Sequence, residues 1–474
     1  MFDLVIKGDR VVTPHGVGPF EIGVRDDRIA VIAEPGGLDA GDAKVIDATG
    51  KIVMPGSIDP HVHCSWPIPS RDGSSHVLSG APAEVSRAAL FGGTTTLIDF
   101  AVWNPGETLT ESISKRDEDW VGKCHCDYAY HLMVQGDVPE SIVAELGEKI
   151  DAGYATVKIF TTDITPSRRG RMVRFGDIWE IFKVVSQHGG LAVIHAEDND
   201  IVMHMYDKLI AADRVRFEHM AEVHNALSEE LSFRRVIRLA ENVPGTALYM
   251  MHTSAASGVE AIESSRARGF PMYGETLHQY LMFTSDDYAT PNGQIYHTYP
   301  SLKSKADQSA LWDGMGGGSI HCVATDEICC TLEVKTQGER IDDTTGGNAG
   351  VEPRLAVMYT QMVEKRGWSL EKFVDLTTTN AAKVMGLYPR KGALAVGADA
   401  DITVLDPTPR TVRKEDLHEA DYSPWEGQDV AVWPCATVLR GKVMVEDGVF
   451  HGDLDHGQYL KRHIPESIRR GPAL

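Results

Sequence analysis

The chain has 474 residues, 42% of them apolar and 24% charged, the make-up of a globular protein too long for one small core. A formal net charge of −22 argues against nucleic acid or an anionic membrane as partner, since both repel it. No run of about 18 apolar residues and no basic-then-apolar leader occurs, so no transmembrane helix or signal peptide is predicted and a cytoplasmic location is expected.

The first 50 residues predict short strands at Leu4–Ile6, Arg10–Thr13, Glu21–Val24, Ile29–Ile32 and Val45–Asp47, separated by Gly, Asp and Pro. A similar texture returns at Ala400–Asp406 and Val438–Gly448. Neither piece alone buries enough apolar surface, so residues 1–54 and 388–452 are expected to pair into one small β-sandwich domain. Between them, residues 55–387 alternate strands with helical patterns. Strands are predicted at 56–61, 95–100, 128–133, 156–160, 191–195, 247–252, 272–276 and 319–326, and helices include 140–152, 175–188 and 259–268. Eight βα units are the number that closes a (β/α)8 TIM barrel, an α/β fold. The polar tail, 453–474, reads as an arm for an oligomer contact. The seven cysteines (Cys64, Cys124, Cys126, Cys322, Cys329, Cys330 and Cys435) are odd in number and irregular in spacing, which predicts reduced thiols. Cys124-His-Cys126 lacks the second pair that a structural zinc site needs.

At or just past the predicted strand ends stand His61 and His63, Lys158, His195, His252 and Asp326. In a barrel those ends converge on one face. His61-Val-His63 puts two imidazoles on one side of an extended segment. Imidazole and carboxylate suit zinc and similar divalent ions. Each residue alone has a plainer reading: a hydrogen-bonded histidine at a strand mouth, or a lysine whose stem is buried and whose amine reaches solvent. Six such coincidences at strand ends are much harder to accept than one. Lys158 stands out because it interrupts the apolar Thr156-Val-Lys-Ile-Phe, and a buried lysine is costly unless paired or chemically altered.

These residues sit in Asp59-Pro-His-Val-His, Phe91-Gly-Gly-Thr-Thr-Thr, Val157-Lys-Ile-Phe, Ile194-His-Ala-Glu, Met251-His-Thr-Ser, Gly274-Glu-Thr-Leu-His-Gln-Tyr-Leu and Lys391-Gly-Ala-Leu-Ala-Val-Gly-Ala-Asp-Ala-Asp. Together, and in this order over nearly the whole chain, they resemble the amidohydrolase superfamily and most closely its dihydropyrimidinase/hydantoinase branch of cyclic amidases. The resemblance implies two divalent ions, usually Zn2+. His61 and His63 would hold the more buried ion and His195 and His252 the more exposed one. Lys158, carbamylated by CO2 to N6-carboxylysine, would bridge both. Asp326 would bind the buried ion and act as general base and acid. A hydroxide held between the two ions would open a hydantoin or dihydropyrimidine ring to an N-carbamoyl acid. Asp59 and Glu197 are candidates to orient the histidines. The resemblance also implies a small cyclic amide as substrate and a homo-oligomer, a tetramer in the family. Hydrolysis of another cyclic imide, ureide or lactone stays open, as does a non-catalytic scaffold, against which the intact ligand set counts.

Three departures bear on the pocket. Thr325-Asp-Glu-Ile-Cys-Cys replaces the family's Ser-Asp-His-Cys-Pro, and Asp163 stands near the place of a tyrosine that stabilises the oxyanion. Loss of such a donor costs on the order of 10²–10³ in rate unless it is replaced. Thr161, Thr162 and Tyr299 are the candidate replacements. Tyr299-Pro-Ser stands where Ser-Pro-Pro is usual, and Gly346-Gly-Asn348 where Asn-Gly-Gly is usual. Trp66, Thr162, Tyr299 and Asn348 are therefore taken as substrate-binding candidates.

Overall fold

The structure, a computed structural model, describes residues 1–71 and 73–474. Eight parallel strands follow one another in sequence order around a barrel: β1 (Ser57–Asp59), β2 (Thr94–Val102), β3 (Asp127–Met133), β4 (Thr156–Phe160), β5 (Leu191–His195), β6 (Leu248–Met250), β7 (Met272–Leu277) and β8 (Cys322–Ala324). They are rich in β-branched and aromatic residues and buried almost throughout, as strands covered on both faces must be. Helices lie between consecutive strands, among them Glu140–Asp151, Phe175–Gln187 and Ala256–Ala267.

The seam between β8 and β1, which share no ladder, is spanned at its base by one side chain. The buried guanidinium of Arg354 donates to the carbonyls of Ile58 (3.2 Å) and Val323 (2.8 Å) and to the hydroxyls of Ser57 and Thr94. Its planar fork of five donors suits a gap where two strands part. Just beyond, Val62 bridges Glu327 in parallel, which draws the segment carrying His61 and His63 against the one carrying Asp326.

The two chain termini build a second, single sheet of eight strands. Its order runs 449–450, 442–446, 433–439, 402–406, 44–55, 4–13, 16–25, 28–33. The halves join where Ile402–Leu405 pairs antiparallel with Ile52–Pro55, and they share one small apolar core. Two strands expected separately at Leu4–Ile6 and Arg10–Thr13 are one strand, Leu4–Thr13, with a register shift between Gly8 and Val11. An irregular pairing breaks the alternation of side chains without ending the strand. Likewise Lys44–Pro55 is continuous through Gly50. The buried Lys391 ammonium ties sheet to barrel, reaching Asp127 and Asp401 at 2.6 Å each.

The tail packs on its own barrel. Arg462, fully buried, donates to the Tyr130 carbonyl (2.6 Å) and Thr156 Oγ1 (2.9 Å), while Leu460 N meets the Tyr128 carbonyl at 2.7 Å. No helix among the described residues is long and apolar enough to cross a membrane.

Candidate metal and active site

All six strand-end residues line one cavity of about 50 Å³, together with Trp66, Phe160, Ile164, Arg168, Arg171, Thr298, Tyr299, Ile328, Gly346 and Gly347. His61 and His63 follow β1, and their Nε2 atoms each lie 3.1 Å from the same oxygen, Oδ1 of Asp326. On the other side of His61, Nδ1 meets Glu275 Oε1 at 2.8 Å. If that nitrogen donates, the Nε2 lone pair faces a carboxylate, and only a cation between them, proton or metal, makes the pair stable. Burial lowers the His61 imidazole, but Glu275 and Asp326 outweigh it and raise it to about 9. Burial raises the Asp326 carboxyl, yet the two histidines hold it well below the ordinary range. Nδ1 of His63 is buried without a hydrogen-bond partner. The ligand atoms of His61, His63 and Asp326 lie within 4.8 Å of one another, and this is a donor set that fits a divalent cation.

His195, at the end of β5, and His252, just past β6, meet edge to face with centroids 4.5 Å apart. His195 Nε2 is held at 3.0 Å by Glu197, whose other oxygen takes His224 Nδ1 at 2.8 Å, so Nδ1 of His195 is left for the cavity. Burial lowers His195 to about 4 and pushes His252 well below its ordinary value. His252 and Asp326 both have positive φ, 34° and 52°. Residues of this type hold that conformation at a cost of order 1 kcal/mol, so the surrounding hydrogen bonds must fix them.

Lys158 lies mid-strand in β4 and shares an inward face with Thr156 and Phe160. Its amine is 2.7 Å from the Met251 thioether and sits over the Phe160 (4.8 Å) and Phe100 (5.7 Å) rings. Among the described residues no carboxylate pairs with it, and burial, opposed by the more distant Asp326 and Glu275, lowers it to about 7.

Of the substrate-binding candidates, Trp66 and Tyr299 line the cavity; Trp66 stands edge-on to His63 at 4.7 Å. Thr162 does not. Its hydroxyl accepts from Ile164 N (3.1 Å) and reaches Asn199 (3.4 Å). Thr161 is also turned away, bonded to the Glu197 carbonyl (2.8 Å) and Ser232 (2.7 Å). Asn348 lies beside the cavity rather than on it; its carbonyl accepts from Ile328 N (3.0 Å), and its side-chain amide is buried without a partner. Asp59 holds Thr325 Oγ1 (2.7 Å) and His61 N (3.2 Å), so it sets backbone and not an imidazole ring. That ring is set by Glu275, which also takes Tyr249 OH (2.9 Å) and His252 N (3.0 Å). Glu275 interrupts an apolar strand as Lys158 does, and that signal was there to be read. Lys335, buried, ties the segments around His297 and Thr345–Gly347 together by donating to the carbonyls of His297 (2.7 Å), Thr345 (2.9 Å) and Gly347.

The amidohydrolase family profile matches residues 52–444. Among curated relatives, a D-hydantoinase of Geobacillus stearothermophilus is 34% identical over 97% of this chain and 96% of its own. The crystal structure of a dihydropyrimidinase from Brevibacillus agri superposes with a TM-score of 0.91 at 30% identity, covering 97% of this chain and 98% of that one. An L-hydantoinase (dihydropyrimidinase) from Arthrobacter aurescens gives 0.85 at 27% identity, over 98% and 100%. The chain belongs to the amidohydrolase family. Within it, this amidohydrolase is a member of the hydantoinase and dihydropyrimidinase branch, and relatives named for opposite enantiomers share its fold.

Proposed function

We propose that this amidohydrolase opens a cyclic amide of the hydantoin or dihydropyrimidine type by adding water across a ring C–N bond, giving an N-carbamoyl acid. What supports this most is the approach of His61 and His63 to a single oxygen of Asp326, in a cavity that also holds His195, His252 and Lys158. Two zinc-like ions held by these residues would supply a water acidified toward neutral pH and a polarised carbonyl. Lys158 suits conversion to a carbamate: its amine adds to CO2, loses a proton, and becomes an anionic ligand in place of an unpaired buried cation. Asp326 takes the proton of the attacking water and delivers it to the ring nitrogen as the C–N bond breaks. Thr298, whose hydroxyl bonds Asp326 Oδ2, fixes that carboxylate. Trp66, Phe160 and Tyr299 wall the ring and exclude water.

The test is a panel of hydantoin, dihydrouracil, a cyclic imide and a lactone, read by mass for the gain of one water. Turnover of a cyclic amide should vanish on chelation and return with zinc. Asp326→Asn should fold and lose about 10²–10⁴ in rate. Failure of zinc-loaded protein to open any ring, or activity indifferent to chelation, would refute the reading.

A further inference from the structure

The loop after β4 brings two guanidinium groups to the cavity, and among the described residues neither has a carboxylate partner. Arg168 lies with Cζ 5.8 Å from the Tyr299 ring centroid; Arg171 lies 5.2 Å from that of Phe160 and 5.9 Å from that of Trp66. Among the described residues neither side chain makes an ion pair or donates a hydrogen bond. The nearby carboxylates are engaged elsewhere. Asp163 Oδ1 accepts the backbone N–H groups of Gly170 (3.0 Å), Arg171 (2.9 Å) and Met172 (2.8 Å). Asp343 faces Arg71 (3.4 Å) and Asp342 holds Arg340 (2.8 Å).

The loop is built to hold this arrangement. Asp163 pins its far end, Val173 N returns to the Phe160 carbonyl (2.9 Å), and Gly136 N takes the Arg171 carbonyl (3.0 Å). Ile164, also on the cavity wall, sits at φ 68°, a conformation that a β-branched residue adopts only under constraint. Burial, with Arg168 beside it, lowers Arg171 to about 9, so the two cations repel each other in a half-buried mouth. In a protein of net charge −22, Asp163 offsets the charge of Arg171 only in part, and among the described residues no carboxylate pairs with either guanidinium. Arg168 also lines a second cavity, of about 240 Å³, that shares Trp66, Ile328 and Gly346 with the first and is walled further by Arg71 and by Asp342 and Asp343, each ion-paired with another arginine; Arg168 therefore stands where a ring substituent would leave the inner site, with Arg171 on the inner wall.

We propose that Arg168 and Arg171 bind a carboxylate carried on the ring substituent, which makes the preferred substrate an anionic cyclic amide rather than one with a neutral or apolar side chain. This rests on the ring-opening reading above. A planar guanidinium matches a carboxylate in geometry as well as charge, and such charge-assisted bonds are about twice as strong as neutral ones.

The experiment compares kcat/KM of the zinc-loaded enzyme for a hydantoin bearing a 5-carboxyethyl group with that for its uncharged 5-carbamoylethyl counterpart. The carboxylate should be preferred on the order of tenfold to a hundredfold, the span that a hydrogen bond to a charged group confers. Arg168→Gln and Arg171→Gln should each lower that ratio toward one, Arg168→Lys should keep part of it, and Arg168→Glu should bring it below one. A ratio near or below one in the wild type, with the uncharged ring still opened, overturns the inference and leaves the hydrolase reading standing. That result would also mean that the arginines only balance charge at the metal site. Failure to open either ring overturns both.

Discussion

Glu275 and Glu197 do the same work for different histidines: each fixes a ring so that the opposite nitrogen faces the cavity. Partners of this kind commonly govern metal affinity by about 10–100-fold. Glu275→Gln keeps the shape and removes the charge that holds His61, so zinc affinity, measured by competition with a chromogenic chelator, should fall by about that factor; an unchanged affinity would refute the role. At this scale the sequence is legible where chemistry forces an odd residue into an apolar setting. His61-Val-His63 and Lys158 announced themselves in this way. Glu275 gave the same signal, but its partners come from β6 and from beyond β1, and no local pattern names them. Arg168 and Arg171 sit in Ser167-Arg-Arg-Gly-Arg, which reads as an exposed turn because nothing local shows that it folds back over the cavity.

The element that decides substrate choice in this account is the loop from Asp163 to Val173. One carboxylate oxygen gathers three of its backbone N–H groups, beside a short 3-10 turn at Pro166–Arg168 and the backbone bonds at Arg171 and Val173. Asp163→Ala removes three hydrogen bonds to a carboxylate, from one exposed and two part-buried N–H groups. Hydrogen exchange at residues 164–172 should quicken, with turnover falling, while exchange in β4 stays slow; equal protection of the loop in the variant would contradict this. Strand and helix positions were largely visible from period and composition, since helices 140–151 and 175–187 carry an apolar stripe. The break expected near Gly8 and Asp9 was wrong because an irregular register interrupts side-chain alternation while pairing continues on both edges. The interior of the 163–173 loop was not visible, because long-range hydrogen bonds set its shape.

Across the whole molecule, six residues drawn from positions 61 to 326 meet because a barrel of parallel strands brings every strand end to one face. Counting eight βα units sufficed to foresee that convergence. The Arg354 clasp across the β8–β1 seam was not foreseeable, since two of its four acceptors are backbone carbonyls that no sequence marks and the other two are hydroxyls distant in the chain. The terminal sheet braces the barrel through Lys391 with Asp127 and Asp401, away from the cavity, so its task is structural. The most direct test of the central claim is the zinc content of protein prepared with zinc and bicarbonate, for the wild type and for Lys158→Ala. A two-metal site with a lysine-borne bridge predicts about two ions per chain, falling to one or fewer in the variant. A wild-type chain that holds none, or a variant that holds as much as the wild type, would contradict it.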